Sequence, residues 1–313
     1  MKIFKQGWKN LIKQSKYDYD DYLLGSDMFF VDEHEIKRID FDINYDNNKL
    51  QCTLYKNVNI NSDICIIYLH SMSGSRLEGY QYLDIFLPYL NFCLFEYAGT
   101  GKSDGKYITL GIKEAEQLNI LIERLKSEYQ IKSFILWGRS MGASTIINYL
   151  KNINNESIHS VILDSPFKTL KGCIKDTLKY NNNIPKIVTS MFLYPIKKKC
   201  YSKTGVDIFS NKPCKYLYNM EYPVLFLVGN NDKITPKFKV EELFNRYGYY
   251  KKFRNKKINI FEGEHHTERD EQVITTIKEF IDEHLPPYNN LNIVKTYNES
   301  LEEPKSNYKY SRS

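Results

Sequence analysis

The chain has 313 residues, of which 42% are hydrophobic and 26% charged, with a formal net charge of +6 at pH 7. The hydrophobic fraction excludes a disordered protein, and the length suits one large α/β domain with an insertion. The 44 Lys and Arg residues exceed the 38 Asp and Glu residues only slightly, and the excess of positive charge is spread along the sequence. We therefore expect no nucleic-acid partner, because that function needs a concentrated basic stripe.

The beginning of the chain and its cysteines bear on location. Residues 1–8 lack the apolar stretch of a signal peptide, and no run approaches the roughly 18 apolar residues of a membrane span. None of the six cysteines forms a CxxC motif, and Cys65 and Cys93 lie in apolar runs typical of a buried core. We expect a cytoplasmic protein.

The first 58 residues predict a lead-in followed by a β-hairpin. Residues 1–30 are polar and charged, with a short basic amphipathic helix around Trp8 and Leu11. We favour packing of this helix on the main domain, and weak contact with a membrane surface is the alternative. Residues 36–44 and 50–58 alternate apolar and polar positions around a turn, which predicts the two hairpin strands.

The rest of the chain alternates buried strands with helices. Continuous apolar runs predict strands at 64–69, 92–97, 133–138, 159–163, 223–229 and 257–261. Helical patterns lie at 111–128, 141–151 and 267–284. This alternation predicts an α/β fold with a mostly parallel sheet and helices on both faces.

Two segments depart from the alternation. Residues 168–219 read as a small helical cap inserted between strands, with an apolar helix around 184–196 that is too short to cross a bilayer. Residues 286–313 are polar and predict a disordered tail. The main domain is expected to span residues 31–285.

The run Gly138-Arg139-Ser140-Met141-Gly142 follows a predicted strand and opens a predicted helix. This G-x-S-x-G pattern is typical of a nucleophile elbow, which holds a serine on a very tight strand-to-helix turn. Side chains at the two glycine positions would collide with the strand and the helix. We therefore predict that Ser140 is a nucleophile and weigh this against a serine that merely caps a helix.

A serine nucleophile of this kind needs an acid and then a histidine further along the chain. Asp232 follows the strand at 223–229 and is the favoured acid, with Asp164, after the preceding strand, as the alternative. The base is expected from the pair His265 and His266, after the last strand. No third metal ligand lies near this pair, so we expect no metal.

The oxyanion hole needs two backbone N–H donors. Met141 directly follows the nucleophile and supplies one, and Met72 in the loop after the strand ending at Leu69 is the expected second donor. The run at 98–103 ends in Gly-Lys-Ser as a P-loop does, but Glu96 stands where its first glycine belongs. We therefore expect neither nucleotide nor any other cofactor.

Four stretches together resemble the α/β-hydrolase superfamily, and more closely its serine-aminopeptidase-like hydrolase-domain proteins of plants and protists. They are the loop at 95–105, the elbow at 137–142, the strand end at 163–167 and the ending at 261–269. The last is similar to the family pattern F-x-G-x-H-N-x-x-R, which implies that His265 is the base. The oxyanion loop of the family usually reads His-Gly, and Ser71 replaces that glycine here.

The resemblance implies a serine hydrolase with the triad Ser140, Asp232 and His265. An apolar cap favours a carboxylic ester or thioester of a lipid-like or acylated substrate. A serine peptidase and a catalytically inactive hydrolase fold used for binding are the alternatives, and Ser71 is the feature that supports the inactive form.

Overall fold

A computed structural model describes residues 2–14, 16, 18–151, 155–182 and 186–285. The predicted tail at 286–313 lies outside the described residues. Contacts divide the chain into one unit up to Glu268 and a second from Arg269 onwards. The sheet and every candidate site residue lie in the first unit.

Within the described residues, the strands form one nine-stranded sheet in the order β1-β2-β3-β5-β4-β6-β7-β8-β9. The strands from β1 to β3 and β5 pair in antiparallel fashion, and β4 to β9 pair in parallel. Their bounds are β1 Met28–Val31, β2 His34–Tyr45, β3 Asn48–Asn57, β4 Ile64–Leu69, β5 Asn91–Phe95, β6 Ser133–Arg139, β7 Ile158–Asp164, β8 Val224–Gly229 and β9 Lys256–Phe261.

Helices surround this sheet. In the first unit they are α1 Lys2–Ile12, α2 Arg76–Tyr80, α3 Leu83–Phe86, α4 Lys113–Tyr129, α5 Met141–Leu150, α6 Leu170–Asn182, α7 Lys186–Thr204 and α8 Lys237–Arg246. The second unit contains α9 Glu271–His284. Of the helices described, none combines the length and the apolar character that a membrane crossing requires.

The mostly parallel α/β sheet confirms the predicted fold class. All six residues of β4 are buried, as its continuous apolar run predicts. Cys65 and Cys93 are fully buried between strands. The predicted hairpin is β2 and β3, whereas β1 was not predicted because its four residues are all apolar and show no alternation of apolar and polar positions.

The segment before the sheet is more ordered than a polar lead-in suggests. Helix α1 places Ile12 in the core, and Trp8 and Leu11 pack against it. The Ile12 carbonyl accepts a hydrogen bond from the Ile108 N–H at 2.9 Å, in the loop after β5. The apolar side of α1 from Trp8 to Ile12 therefore faces the domain.

Helices α6 and α7 lie between β7 and β8, inside the segment predicted as a cap. The apolar helix expected around 184–196 falls within α7, but residues 183–185 and the side chains of 186–192 lie outside what the structure describes. Helix α7 continues past that range to Thr204, and Pro195 lies inside the helix without ending it.

Candidate active site

Ser140 occupies the turn between β6 and α5 with φ 52° and ψ −103°, a backbone conformation that side chains rarely adopt. The turn requires both flanking glycines. A Cβ at Gly142 would lie 1.9 Å from the Leu69 carbonyl oxygen, and one at Gly138 would lie 2.4 Å from the Gly142 carbonyl carbon. The crowding expected from the sequence is therefore present, and it leaves Ser140 at the carboxyl edge of the sheet.

Three predicted side chains meet at this edge. The Ser140 hydroxyl lies 3.0 Å from His265 Nε2, and His265 Nδ1 lies 2.8 Å from Asp232 Oδ2. Because a carboxylate only accepts hydrogen bonds, Nδ1 is the protonated ring nitrogen, and Nε2 is left to accept from Ser140. The arrangement is that of a nucleophile, a general base and an orienting acid.

The two alternatives lie elsewhere. Asp164 ends β7, and its backbone carbonyl accepts the Ser140 N–H at 2.8 Å. His266 is exposed beside the base, with its ring centroid 5.0 Å from that of His265. Neither side chain takes the place of Asp232 or His265 in the hydrogen-bonded chain.

Asp232 is buried, and its carboxylate is surrounded by donors. Oδ1 accepts the backbone N–H groups of Ile234 and Thr235 at 2.8 and 2.7 Å, and Oδ2 accepts the Thr235 hydroxyl at 2.7 Å. Burial opposes ionisation of the Asp232 carboxyl group. The hydrogen bond and the charge of His265, together with the hydrogen bonds from Thr235, outweigh burial and hold the pKa of Asp232 below its ordinary value. Asp232 is therefore an anion at neutral pH.

A second contact joins the elbow to the loop that carries the base. Arg139 is buried next to Ser140, and its Nη2 donates to the backbone carbonyls of His265 at 2.9 Å and Thr267 at 3.2 Å. The guanidinium fork can hold two acceptors in a fixed geometry. The backbone of His265 is thus tied to the residue that precedes the nucleophile.

The loop opposite Ser140 is held by Glu78 on α2. Its Oε1 accepts the backbone N–H of Ser71 at 3.0 Å, and its Oε2 accepts the Ser71 hydroxyl at 2.6 Å. The Ser71 side chain is therefore bound away from the turn. Within the part of the chain that the structure describes, the N–H groups of Met72 and Met141 have no acceptor.

Arg139, Thr235 and Glu78 were missed at the sequence level. Arg139 and Thr235 stand inside the motifs that revealed Ser140 and Asp232, but nothing local indicates what their side chains contact. Glu78 is seven residues from Ser71 in a segment without a motif. The hydrogen-bond partners of these three side chains are therefore known only from the folded structure.

The described residues contain no cluster of three or more His, Cys, Asp or Glu placed to hold a metal ion. In the loop at 98–103 the Lys102 N–H donates to Glu96 Oε2 at 2.7 Å. A Cβ at Gly101 would lie 2.2 Å from the same carboxyl group. This loop therefore wraps around a buried carboxylate of the protein itself, whereas a P-loop wraps around the phosphates of a nucleotide.

Known proteins share this architecture. A family model described as an α/β hydrolase of unknown function matches residues 104–210. An uncharacterized protein of Acanthamoeba polyphaga mimivirus is 27% identical over 203 residues, which cover 61% of this chain and 63% of the viral protein. The alignment thus spans less than two thirds of that relative.

Solved structures agree with the family model. An esterase of Pyrococcus furiosus superposes with a TM-score of 0.66 at 22% identity and covers 88% of this chain and 99% of its own. A monoacylglycerol lipase of Paleococcus ferrophilus gives a TM-score of 0.55 at 21% identity, with 75% and 99% covered. The chain has the α/β-hydrolase fold. Its closer resemblance to plant and protist serine-aminopeptidase-like proteins stays a prediction.

Proposed function

We propose that the protein is a serine hydrolase that cleaves carboxylic esters or thioesters through an acyl-enzyme intermediate. The observation that carries this proposal is the continuous chain of hydrogen bonds from Ser140 through His265 to Asp232, at 3.0 and 2.8 Å. The strained turn at Ser140 adds support, because strain of this kind is retained where a reactive group must be presented.

In the first step the Ser140 hydroxyl attacks the ester carbonyl while His265 Nε2 takes its proton. Asp232 stabilises the imidazolium and keeps the ring oriented. The N–H groups of Met72 and Met141 bind the negative oxygen of the tetrahedral intermediate. His265 then protonates the leaving alcohol or thiol. In the second step a water molecule gives a proton to His265 Nε2 and attacks the acyl carbonyl, and His265 returns that proton to the Ser140 oxygen as the carboxylic acid leaves.

Lipid-like or acylated substrates are the class we propose. The run at 184–196 in the cap is apolar in sequence, and the structurally similar proteins include an esterase and a monoacylglycerol lipase. The Ser71 departure does not favour an inactive protein, because Glu78 holds both the N–H and the hydroxyl of Ser71 and leaves Met72 unbound.

The test is labelling by a fluorophosphonate probe together with hydrolysis of p-nitrophenyl esters of increasing acyl length. We expect labelling and turnover by the wild type, loss of both in Ser140→Ala, and wild-type behaviour in the matched control Ser127→Ala, a serine exposed on α4. Equal labelling of wild type and Ser140→Ala contradicts the mechanism. Absence of labelling and turnover in the wild type supports the inactive binding protein instead.

A further inference from the structure

The fold gathers lysines that are far apart in the sequence. Helices α1 and α7 pack together, with Gly7 so close to Ile196 that a Cβ at Gly7 would lie 3.0 Å from its Cδ1. Lys199 lies over the Trp8 ring, with Nζ 5.8 Å from the ring centroid. Lysines that are spread along the sequence are therefore brought together where α1 packs on α7.

Six exposed lysines form what we call the basic surface: Lys9, Lys13, Lys16, Lys106, Lys199 and Lys203. Four of these lysines line an open cavity of about 540 Å³, and Asn10, Gln14 and two glycines complete its lining. The four are Lys9, Lys13, Lys16 and Lys106. Of the residues that the structure describes, no acidic side chain lines that cavity. Among the described residues, none of the six forms an ion pair.

Acidic residues line the adjoining cavity, where Asp46, Asp104 and Glu114 stand beside Lys203. Two of these carboxylates already accept hydrogen bonds. Glu114 is buried and binds the N–H groups of Thr109 and Gly111, and Asp104 binds the Lys49 N–H. With these three carboxylates counted against its six lysines, the basic surface keeps a net positive charge.

The position of the basic surface relates it to the candidate active site. Helix α1 contacts the loop after β5 through Ile12 and Ile108. Strand β5 is parallel to β4, and β4 is parallel to β6. The loop after β5 and Ser140 after β6 therefore lie at the same edge of the sheet.

We propose that the basic surface docks the protein on an anionic lipid bilayer. Charge complementarity carries the proposal, since each lysine near an anionic bilayer contributes about 1 kcal/mol. Insertion of α1 is not the mode of contact, because Trp8, Leu11 and Ile12 are packed on the domain. A bilayer is favoured over other polyanions because the basic surface shares an edge with a site proposed to cleave lipid-like esters, and only this preference rests on the proposed function.

The test is co-sedimentation with vesicles of phosphatidylcholine alone or mixed with phosphatidylserine, using Ser140→Ala protein so that no substrate is consumed. We expect binding only to the mixed vesicles, and its loss at high salt because exposed charges are screened. The triple variant Lys9→Gln, Lys13→Gln and Lys106→Gln should bind about 100-fold more weakly.

The matched control is Lys37→Gln, Lys212→Gln and Lys252→Gln, which removes the same charge from exposed positions outside the basic surface. It should lose much less affinity. Equal loss in both triple variants, no binding to the mixed vesicles, or binding to single-stranded DNA in place of vesicles overturns the proposal. Ester hydrolysis by the wild type is measured separately, so failure of docking and failure of the proposed function are distinguishable.

Discussion

Arg139 holds the backbone of His265, with its guanidinium Nη2 2.9 Å from the His265 carbonyl oxygen. The residue before the proposed nucleophile thus positions the backbone of the proposed base. Because β6 carries Arg139 and the loop after β9 carries His265, this contact joins two strands that are not neighbours in the sheet. The loop that carries His265 is therefore fastened by a side chain that touches neither Ser140 Oγ nor Asp232 in the hydrogen-bonded chain.

Replacing Arg139 by lysine keeps the charge and removes the planar guanidinium, whose Nη2 donates to both carbonyls. We expect kcat to fall about 10-fold or more, a loss of roughly 1.4 kcal/mol or more of transition-state stabilisation, with a smaller change in KM. Arg254→Lys, at an exposed arginine, is the control. A change confined to KM would show that Arg139 serves substrate binding instead of placing His265.

Thr235 should act through Asp232. Its hydroxyl donates to Asp232 Oδ2 at 2.7 Å and lies 3.3 Å from His265 Nδ1. Thr235→Val has the same shape and lacks the donor, so the Asp232 carboxylate becomes more basic and holds the His265 proton more strongly. We expect kcat/KM to fall about tenfold, or ~1.4 kcal/mol, and its acid limb to move to higher pH.

Thr235→Ser retains the hydroxyl, so this variant should keep both the rate and the pH profile of kcat/KM close to those of the wild type. A purely structural role for Thr235 predicts a lower thermal stability with an unchanged profile. Measuring the profile and the melting temperature of all three proteins distinguishes these outcomes.

Glu78 should matter to the oxyanion hole although it touches no reacting atom. Glu78→Ala removes both acceptor oxygens, so the hydrogen bonds to the Ser71 N–H and hydroxyl are both lost. We expect the loop carrying Met72 to shift and kcat to fall about tenfold, which corresponds to 1.4 kcal/mol. Glu33→Ala, in an exposed turn, is the control, and wild-type kcat in Glu78→Ala would exclude this role.

Asp232 also links stability to pH. Its pKa is depressed in the folded protein, so its contribution to the free energy of unfolding is fully present above the unfolded pKa of about 3.9. The contribution is lost as the pH falls through the lower folded pKa. Denaturation experiments between pH 5 and 2, as approximate limits for this titration, should show a shallower loss of stability in Asp232→Asn than in the wild type. Parallel curves would contradict this linkage.

The sequence predicts the parts of the site that depend on local pattern. Apolar runs locate the parallel strands, the two glycines reveal the turn at Ser140, and the chain order points to Asp232 and His265. The contacts of Arg139, Thr235 and Glu78 are tertiary, and no spacing rule encodes them. The basic surface was missed for the same reason, since Lys9 and Lys203 are brought together only when α1 packs on α7.

Because of the left-handed backbone at Ser140, selection for stability and selection for activity should favour different residues at this position. With φ at 52°, a side chain there costs about 1–3 kcal/mol that glycine would largely avoid. Ser140→Gly should therefore melt at a higher temperature than the wild type, whereas Ser140→Ala should not. A library screened for folding alone would drift to glycine at this position, and a library screened for ester turnover would keep the serine.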